Sequence, residues 1–159
     1  MRAYFFCNYY LSSIQQGIQS AHCVADMFAR YQMRSAHKTC LYNWAENHKT
    51  MVVLNGGNSK DLDTLYKDLV SNADQVCYPH ARFKEDKQSL NSATTCIGLV
   101  VPEKIYMFAQ EMREYENVDD MQLEIKYGHN PLEVYIDQHK MSPYDINLSR
   151  LISSYPLAR

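Results

Sequence analysis

A chain of 159 residues with 46% apolar and 21% charged residues is long enough for one domain with a hydrophobic core and too short for two ordinary ones. Its net charge of −2 and pI near 6.3 exclude a broadly basic protein that coats DNA without selectivity, though they leave room for a local basic patch. No apolar run approaches the roughly 18–20 residues of a membrane helix, so no membrane association is expected.

In chain order, Ala3 to Tyr10 is nearly all aromatic or apolar and of strand length, and reads as a buried strand. Ser12 and Ser13 are cap residues for a following helix. That helix sets Ile14, Ile18, Ala21, Val24 or Ala25, and Phe28 on one face at helical spacing, the pattern of a core-facing stripe. Gln15, Gln19, His22 and Asp26 occupy the opposite flank. A polar joint over Ser35 to Thr39 precedes a short helix, Leu41 to Asn47, which holds the only tryptophan, Trp44.

Thr50 to Leu54 reads as a second strand, closed by the turn Asn55-Gly56-Gly57-Asn58-Ser59. Ser59 can cap a helix from Lys60 to Ser71 with Leu62, Leu65, Tyr66 and Leu69 on its apolar face. Val76 to Tyr78 is a short strand candidate, and Thr94 to Val101 the clearest strand, ended by Pro102. A helix from Glu103 to Tyr115 follows. Beyond Glu116 the pattern weakens: Met121 to Tyr127 reads as an added strand, Leu132 to Lys140 and Asp145 to Ser153 as helices. Strands alternating with helices imply a three-layer α/β/α domain on a small mixed sheet. It is expected over residues 1–115, with a C-terminal extension, 116–159, packed on the same domain.

Met1 to Leu11 is short, aromatic and interrupted by Asn8, unlike a secretory signal, so a cytoplasmic location is expected. Cys7, Cys23, Cys40, Cys77 and Cys96 are odd in number, and no pair has C-x-x-C spacing. Buried reduced thiols are therefore expected rather than zinc ligands or a redox motif. No histidine or carboxylate set has metal-ligand spacing, and no phosphate-cradling glycine motif is present; neither metal nor cofactor is expected.

Leu11-Ser12-Ser13-Ile14-Gln15-Gln16-Gly17-Ile18-Gln19-Ser20-Ala21-His22 resembles the first-helix motif of the type-two peptidyl-tRNA hydrolases, in which a Gly-Lys or Gly-Gln pair precedes Ala-Gln-x-x-His. Gln19 and His22 fall on its Gln and His. Trp44 to Leu54 is similar to that family's Trp-containing helix running into a Lys-x-Val-Val-Leu strand. Phe83-Lys84-Glu85-Asp86 and Thr94-Thr95 resemble the acidic word and Thr-led last strand of a bacterial branch. The likeness spans about residues 3–114. Gln15 and Ile14 stand where the hydrolases proper have lysine and glycine, and a neutral amide neither holds a phosphate as a point charge nor supports proton transfer.

The resemblance implies a shared cleft. Glu85 or Asp86 would orient a water there. Thr94 or Thr95 and the glutamines would donate to a developing oxyanion, with His22 beside them. Gln15, Gln19, Arg82 and Lys84 are the expected ligand-binding residues, since His80 to Lys84 places two cations and a histidine next to the acidic word. His37-Lys38-Thr39 and His48-Lys49-Thr50 repeat a His-x-Thr word of two-histidine phosphoesterases, but they flank one short helix instead of lying on two lobes.

The first functional expectation is hydrolysis of an ester or phosphoester in an RNA- or nucleotide-linked substrate. The alternative is a non-catalytic protein that sequesters a small cyclic or dinucleotide signal in the same cleft. The resemblance also implies a homodimer.

Overall fold

The computed structural model describes residues 1–33, 35–71 and 78–159, with backbone only at Ser89 and Leu90. Its strands are β1 (Arg2–Cys7), β2 (Met51–Asn55), β3 (His80–Lys84) and β4 (Thr94–Val101). Its helices are α1 (Ser13–Arg30), α2 (Ala36–Asn43), α3 (Ser59–Val70), α4 (Lys87–Leu90), α5 (Glu103–Glu111), α6 (Asp120–Tyr127), α7 (Pro131–His139) and α8 (Pro143–Ser154). A π-helical turn, Trp44–His48, extends α2. No helix among the described residues is long and apolar enough to cross a membrane.

The chain is α/β with a four-stranded mixed sheet in the order β2-β1-β4-β3. β1 pairs in parallel with β2 and antiparallel with β4, and β3 pairs antiparallel with β4 at the sheet's edge. Two compact units result: residues 1–102 together with 155–159, and residues 103–154. In the first, α1 and α2 cover the sheet face formed by Ala3, Phe5, Cys7, Ala81, Cys96 and Val100, with Cys23, Met27, Leu41 and Trp44 buried against it. Strand alternation turns Phe6, Ile97 and Leu99 to the other face, where α3 packs with Leu62, Leu65 and Leu69 buried. The second unit is helical: α5 and α8 pack together, Ser149 Oγ accepts the Ala109 amide at 3.0 Å, and Lys104 pairs with Asp145 at 2.9 Å.

β1 stops at Cys7, three residues short of the expected end, because Asn8 Oδ1 accepts the Tyr10 amide at 3.0 Å and turns the chain. Ser12 caps α1 as expected, in a reciprocal box with Gln15. The inward face of α1 is only partly the one its apolar spacing suggests: Val24 and Phe28 pack half-buried against the core, and Gln15, His22 and Asp26 are exposed. Gln16, Gln19, Ser20, Cys23 and Met27 are the buried residues, however, while Ile14 is 78% and Ile18 49% exposed. At Gly98 a Cβ would lie 2.9 Å from Cys23 Cβ, so the helix approaches the sheet closely at Cys23.

Other expectations change: α2 begins at Ala36, inside the segment read as a polar joint, and α5 ends at Glu111, short of Tyr115. Val76 and Cys77 lie outside the described residues, and Tyr78 is not in a strand; the third strand is His80–Lys84, within the segment read as a site loop. Met121 to Tyr127 is helical, because Asp119 caps the N-terminus and Gly128, at φ 77°, closes the other end. Asn58 rather than Ser59 caps α3, and Ser59 Oγ instead donates to the Thr94 carbonyl at 2.9 Å.

Candidate functional site

Three of the expected site residues meet on the α1 face of the sheet. Gln19, buried one and a half turns into α1, donates through Nε2 to Glu85 Oε1 at 2.6 Å. Its own Oε1 accepts from Thr95 Oγ1 at 3.2 Å. One amide side chain therefore joins a helix, the central part of the sheet and the residue just past β3. Glu85 is half-buried, and its amide donates to the Ala93 carbonyl at 3.1 Å, which fixes the backbone beneath the carboxylate. His22, one turn along α1 and exposed, stacks its ring on Phe83, with centroids 4.4 Å apart and planes inclined by 10°.

Both threonines at the start of β4 are buried, and they face opposite ways. Phe83 is opposite Cys96 and Lys84 opposite Thr94, so one step on β3 spans two on β4 and Thr95 is the extra residue. This bulge lets Thr95 point to Gln19 while Thr94 Oγ1 donates to Asp63 Oδ1 on α3 at 2.5 Å. Arg82 goes with Thr94. It reaches Asp63 at 3.5 Å, and its guanidinium lies over the Tyr66 ring at 4.2 Å. The sheet thus separates Thr94 and Arg82 from Gln19, Glu85 and Thr95.

Gln15 is exposed and occupied in the α1 cap, where its Oε1 accepts the Ser12 amide at 2.9 Å. Lys84 and Asp86 are exposed at the end of β3 and the loop after it. His37 lies on α2 with its ring stacked on Tyr31, and His48 is exposed at the end of the π-helical turn, so the two His-Lys-Thr words form no common site.

Beneath the Gln19–Thr95 contact lies a group of sulfurs. Cys7 Sγ is 3.5 Å from Cys96 Sγ and 3.5 Å from Ser20 Oγ, all fully buried. Burial pushes the Cys96 thiol well above its ordinary pKa, while the hydrogen bond to Cys96 draws the Cys7 thiol down. Among the described residues no group of His, Cys, Asp or Glu is arranged to hold a metal ion. Asp63 and Tyr66 carried no sequence signal as site residues; only the fold of α3 against β4 and β3 brings them to Thr94 and Arg82.

Chemically, the α1 side presents an oriented carboxylate, an exposed imidazole one helical turn from the Gln19 that holds it, and a hydroxyl on the other end of the Gln19 amide. A carboxylate so held can orient and deprotonate water, and the imidazole can carry a proton to or from a leaving group. The two guanidinium and ammonium groups expected beside it belong elsewhere, Arg82 across the sheet and Lys84 at the strand's exposed end. No family model matches the chain, and no curated protein matches it significantly.

Proposed function

We propose that the chain is a divergent relative of the type-two peptidyl-tRNA hydrolases that cleaves an ester bond in an RNA- or nucleotide-linked substrate. The observation that carries this reading is the bridge from Gln19 to Glu85 and Thr95, since these are residues that the family likeness assigns to one cleft. In this reading Glu85 is the base that activates water, and Gln19 is a positioning residue that holds its carboxylate. His22 passes a proton to the leaving oxygen. Thr95 acts only through Gln19; Thr94 and Arg82, on the other side of the sheet, take no part. An ester suits the site better than a phosphoester, because a carboxylate repels an anionic reacting centre unless a cation intervenes.

A second reading is favoured by Gln15, whose side chain is spent on the helix cap and supplies no cation. The same cleft would then hold a small nucleotide without turnover. Incubation with peptidyl-tRNA and with a panel of cyclic and dinucleotides, followed by re-extraction, separates the two. A cleaved ester with wild type and none with Glu85→Gln supports hydrolysis. Quantitative recovery of every ligand, with a thermal shift for one of them that Glu85→Gln abolishes, overturns hydrolysis and leaves sequestration.

A further inference from the structure

The net charge of −2 hides an uneven distribution. Residues 1–102 and 155–159 contain eleven Lys or Arg against eight Asp or Glu, whereas residues 103–154 contain five against ten. Within the basic unit, two arginines converge on the outer edge of β3. Arg82 lies over one ring, Tyr66. Arg30, in the last turn of α1, donates to the His80 carbonyl at 3.4 Å. Burial works against its charge, but the neighbouring Tyr31 and Tyr66 hydroxyls raise its pKa on balance. Arg82 and Arg30 thus reach the same strand edge from opposite faces of the sheet, Arg82 over Tyr66 and Arg30 at the His80 carbonyl.

Among the described residues the surroundings are aromatic, and the ion pair formed there is Arg82 with Asp63. Tyr31 stacks on His37 with centroids 4.9 Å apart and planes within 5°, and its hydroxyl contacts the His80 carbonyl at 3.3 Å and Nδ1 at 3.5 Å. The carboxylate facing the cluster, Asp63, is already engaged by Thr94 and Arg82. Two cations at one strand edge, Arg82 over the Tyr66 ring and Arg30 at the His80 carbonyl, with the facing Asp63 already occupied, favour a ligand that brings negative charge and a flat ring at once.

We propose that this edge cluster, Arg30, Tyr31, Tyr66, His80 and Arg82, binds a nucleoside phosphate, either free or as part of a single RNA strand. The guanidinium forks take the phosphate and the Tyr31–His37 stack or the Tyr66 ring takes the base. The site is separate from Glu85, which faces Gln19 on the α1 side, and its existence does not depend on the hydrolase reading. Covering of a sheet edge is the competing account of the same contacts, because Tyr31 and Arg30 also satisfy the backbone of His80.

The test uses uridine monophosphate, a fluorescent 5′-phosphorylated oligouridylate and inorganic phosphate, titrated into the full chain. Saturable nucleotide binding is expected, weakened about tenfold by Arg30→Gln and by Arg82→Gln. Lys60→Gln, which removes the same charge from the exposed start of α3, is expected to change it less than about twofold. If both arginines contact the RNA phosphates, the double variant lowers the salt slope by about 1.4 logarithmic units. Equal affinity for the monophosphate and the oligonucleotide marks a free nucleotide; tighter oligonucleotide binding marks a strand. Glu85→Gln is expected to leave binding unchanged, which keeps this site distinguishable from the hydrolytic one. No saturable nucleotide binding, full binding by a folded Arg30→Gln/Arg82→Gln protein, or inorganic phosphate binding as tightly as the nucleotide overturns the proposal. Should Arg30→Gln fail to fold, Arg82→Gln alone decides it.

Discussion

Gln19 and Glu85 are 66 positions apart in the chain and 2.6 Å apart in space, with the donor amide buried. Because the Gln19 carbonyl oxygen also accepts from Thr95, removing this side chain leaves a buried hydroxyl without its partner and a carboxylate without its donor. Gln19→Ala is expected to cost about 1–3 kcal/mol in urea unfolding. Glu85→Gln keeps the shape and is expected to leave stability nearly unchanged while lowering any ester hydrolysis by about 100-fold or more. Loss of stability without loss of turnover in Gln19→Ala would remove the positioning role.

The outward stripe of α1 makes a second prediction. Ile14, Gly17, Ile18, Ala21 and Ala25 lie along one exposed face, next to Tyr10 at 75% exposure. Small residues between isoleucines allow a second copy of the same helix to approach closely, and the homodimer implied by the family likeness would use this face. Sedimentation is expected to show a dimer at micromolar concentration, converted to monomer by Ile14→Lys/Ile18→Lys. Since both side chains are solvated in one copy, monomer stability is expected to change by less than about 0.5 kcal/mol per substitution. A wild-type monomer at high concentration removes the dimer from the reading.

Gly98 sets how closely α1 approaches the sheet. A methyl group there would sit 2.9 Å from Cys23 Cβ and 3.1 Å from Phe5 Cε1, both in fully buried residues. Gly98→Ala is expected to destabilise by about 1–3 kcal/mol, read as a lower urea midpoint. Cys23→Gly removes the nearest carbon at a helix cost of about 1 kcal/mol, so the double variant should lose less than the two single losses combined. Strict additivity would mean that the helix does not press on this glycine.

How much of this the sequence carried depends on whether the signal is local. β4 is a continuous apolar run and was legible to the residue, α7 and α8 nearly so, and β1 except for its last three residues. His80–Lys84 was not, because a strand at a sheet edge needs only Ala81 and Phe83 turned inward and leaves its cations outside. α6 was misread because Met121, Leu123 and Ile125 alternate like a strand, while Asp119 and Gly128 mark a helix. The inward face of α1 was partly hidden for a different reason: its buried polar residues are satisfied by partners distant in sequence or by its own backbone. Gln19, Thr95 and Glu85 could be grouped only through the family likeness. Strand alternation separates Thr94 from Thr95, but which of them faces α1 follows from a bulge that no residue pattern announces.

Acid sensitivity follows from His80. Burial comes first in lowering its pKa; the Tyr78 carbonyl works against this, and the charges of Arg30 and His37 lower it further. Among the described residues the groups facing it are Arg30 at the end of α1, Tyr31 just after it, His37 from α2 and Tyr66 from α3, none of them a carboxylate. A histidine with a folded pKa below its unfolded value near 6.5 binds its proton more readily in the unfolded chain. Its contribution to stability is therefore complete above about pH 6.5 and declines as pH falls from there through the folded pKa. His80→Asn is expected to flatten this part of the stability profile while leaving the carboxylate region below about pH 4.5 in place. A slope between about pH 6.5 and 5 that is the same in His80→Asn and wild type would assign the effect to another group. Bound nucleoside phosphate at the adjacent arginines should oppose the shift, since an anion beside His80 favours its protonated form, so the wild-type profile is expected to flatten when uridine monophosphate is added.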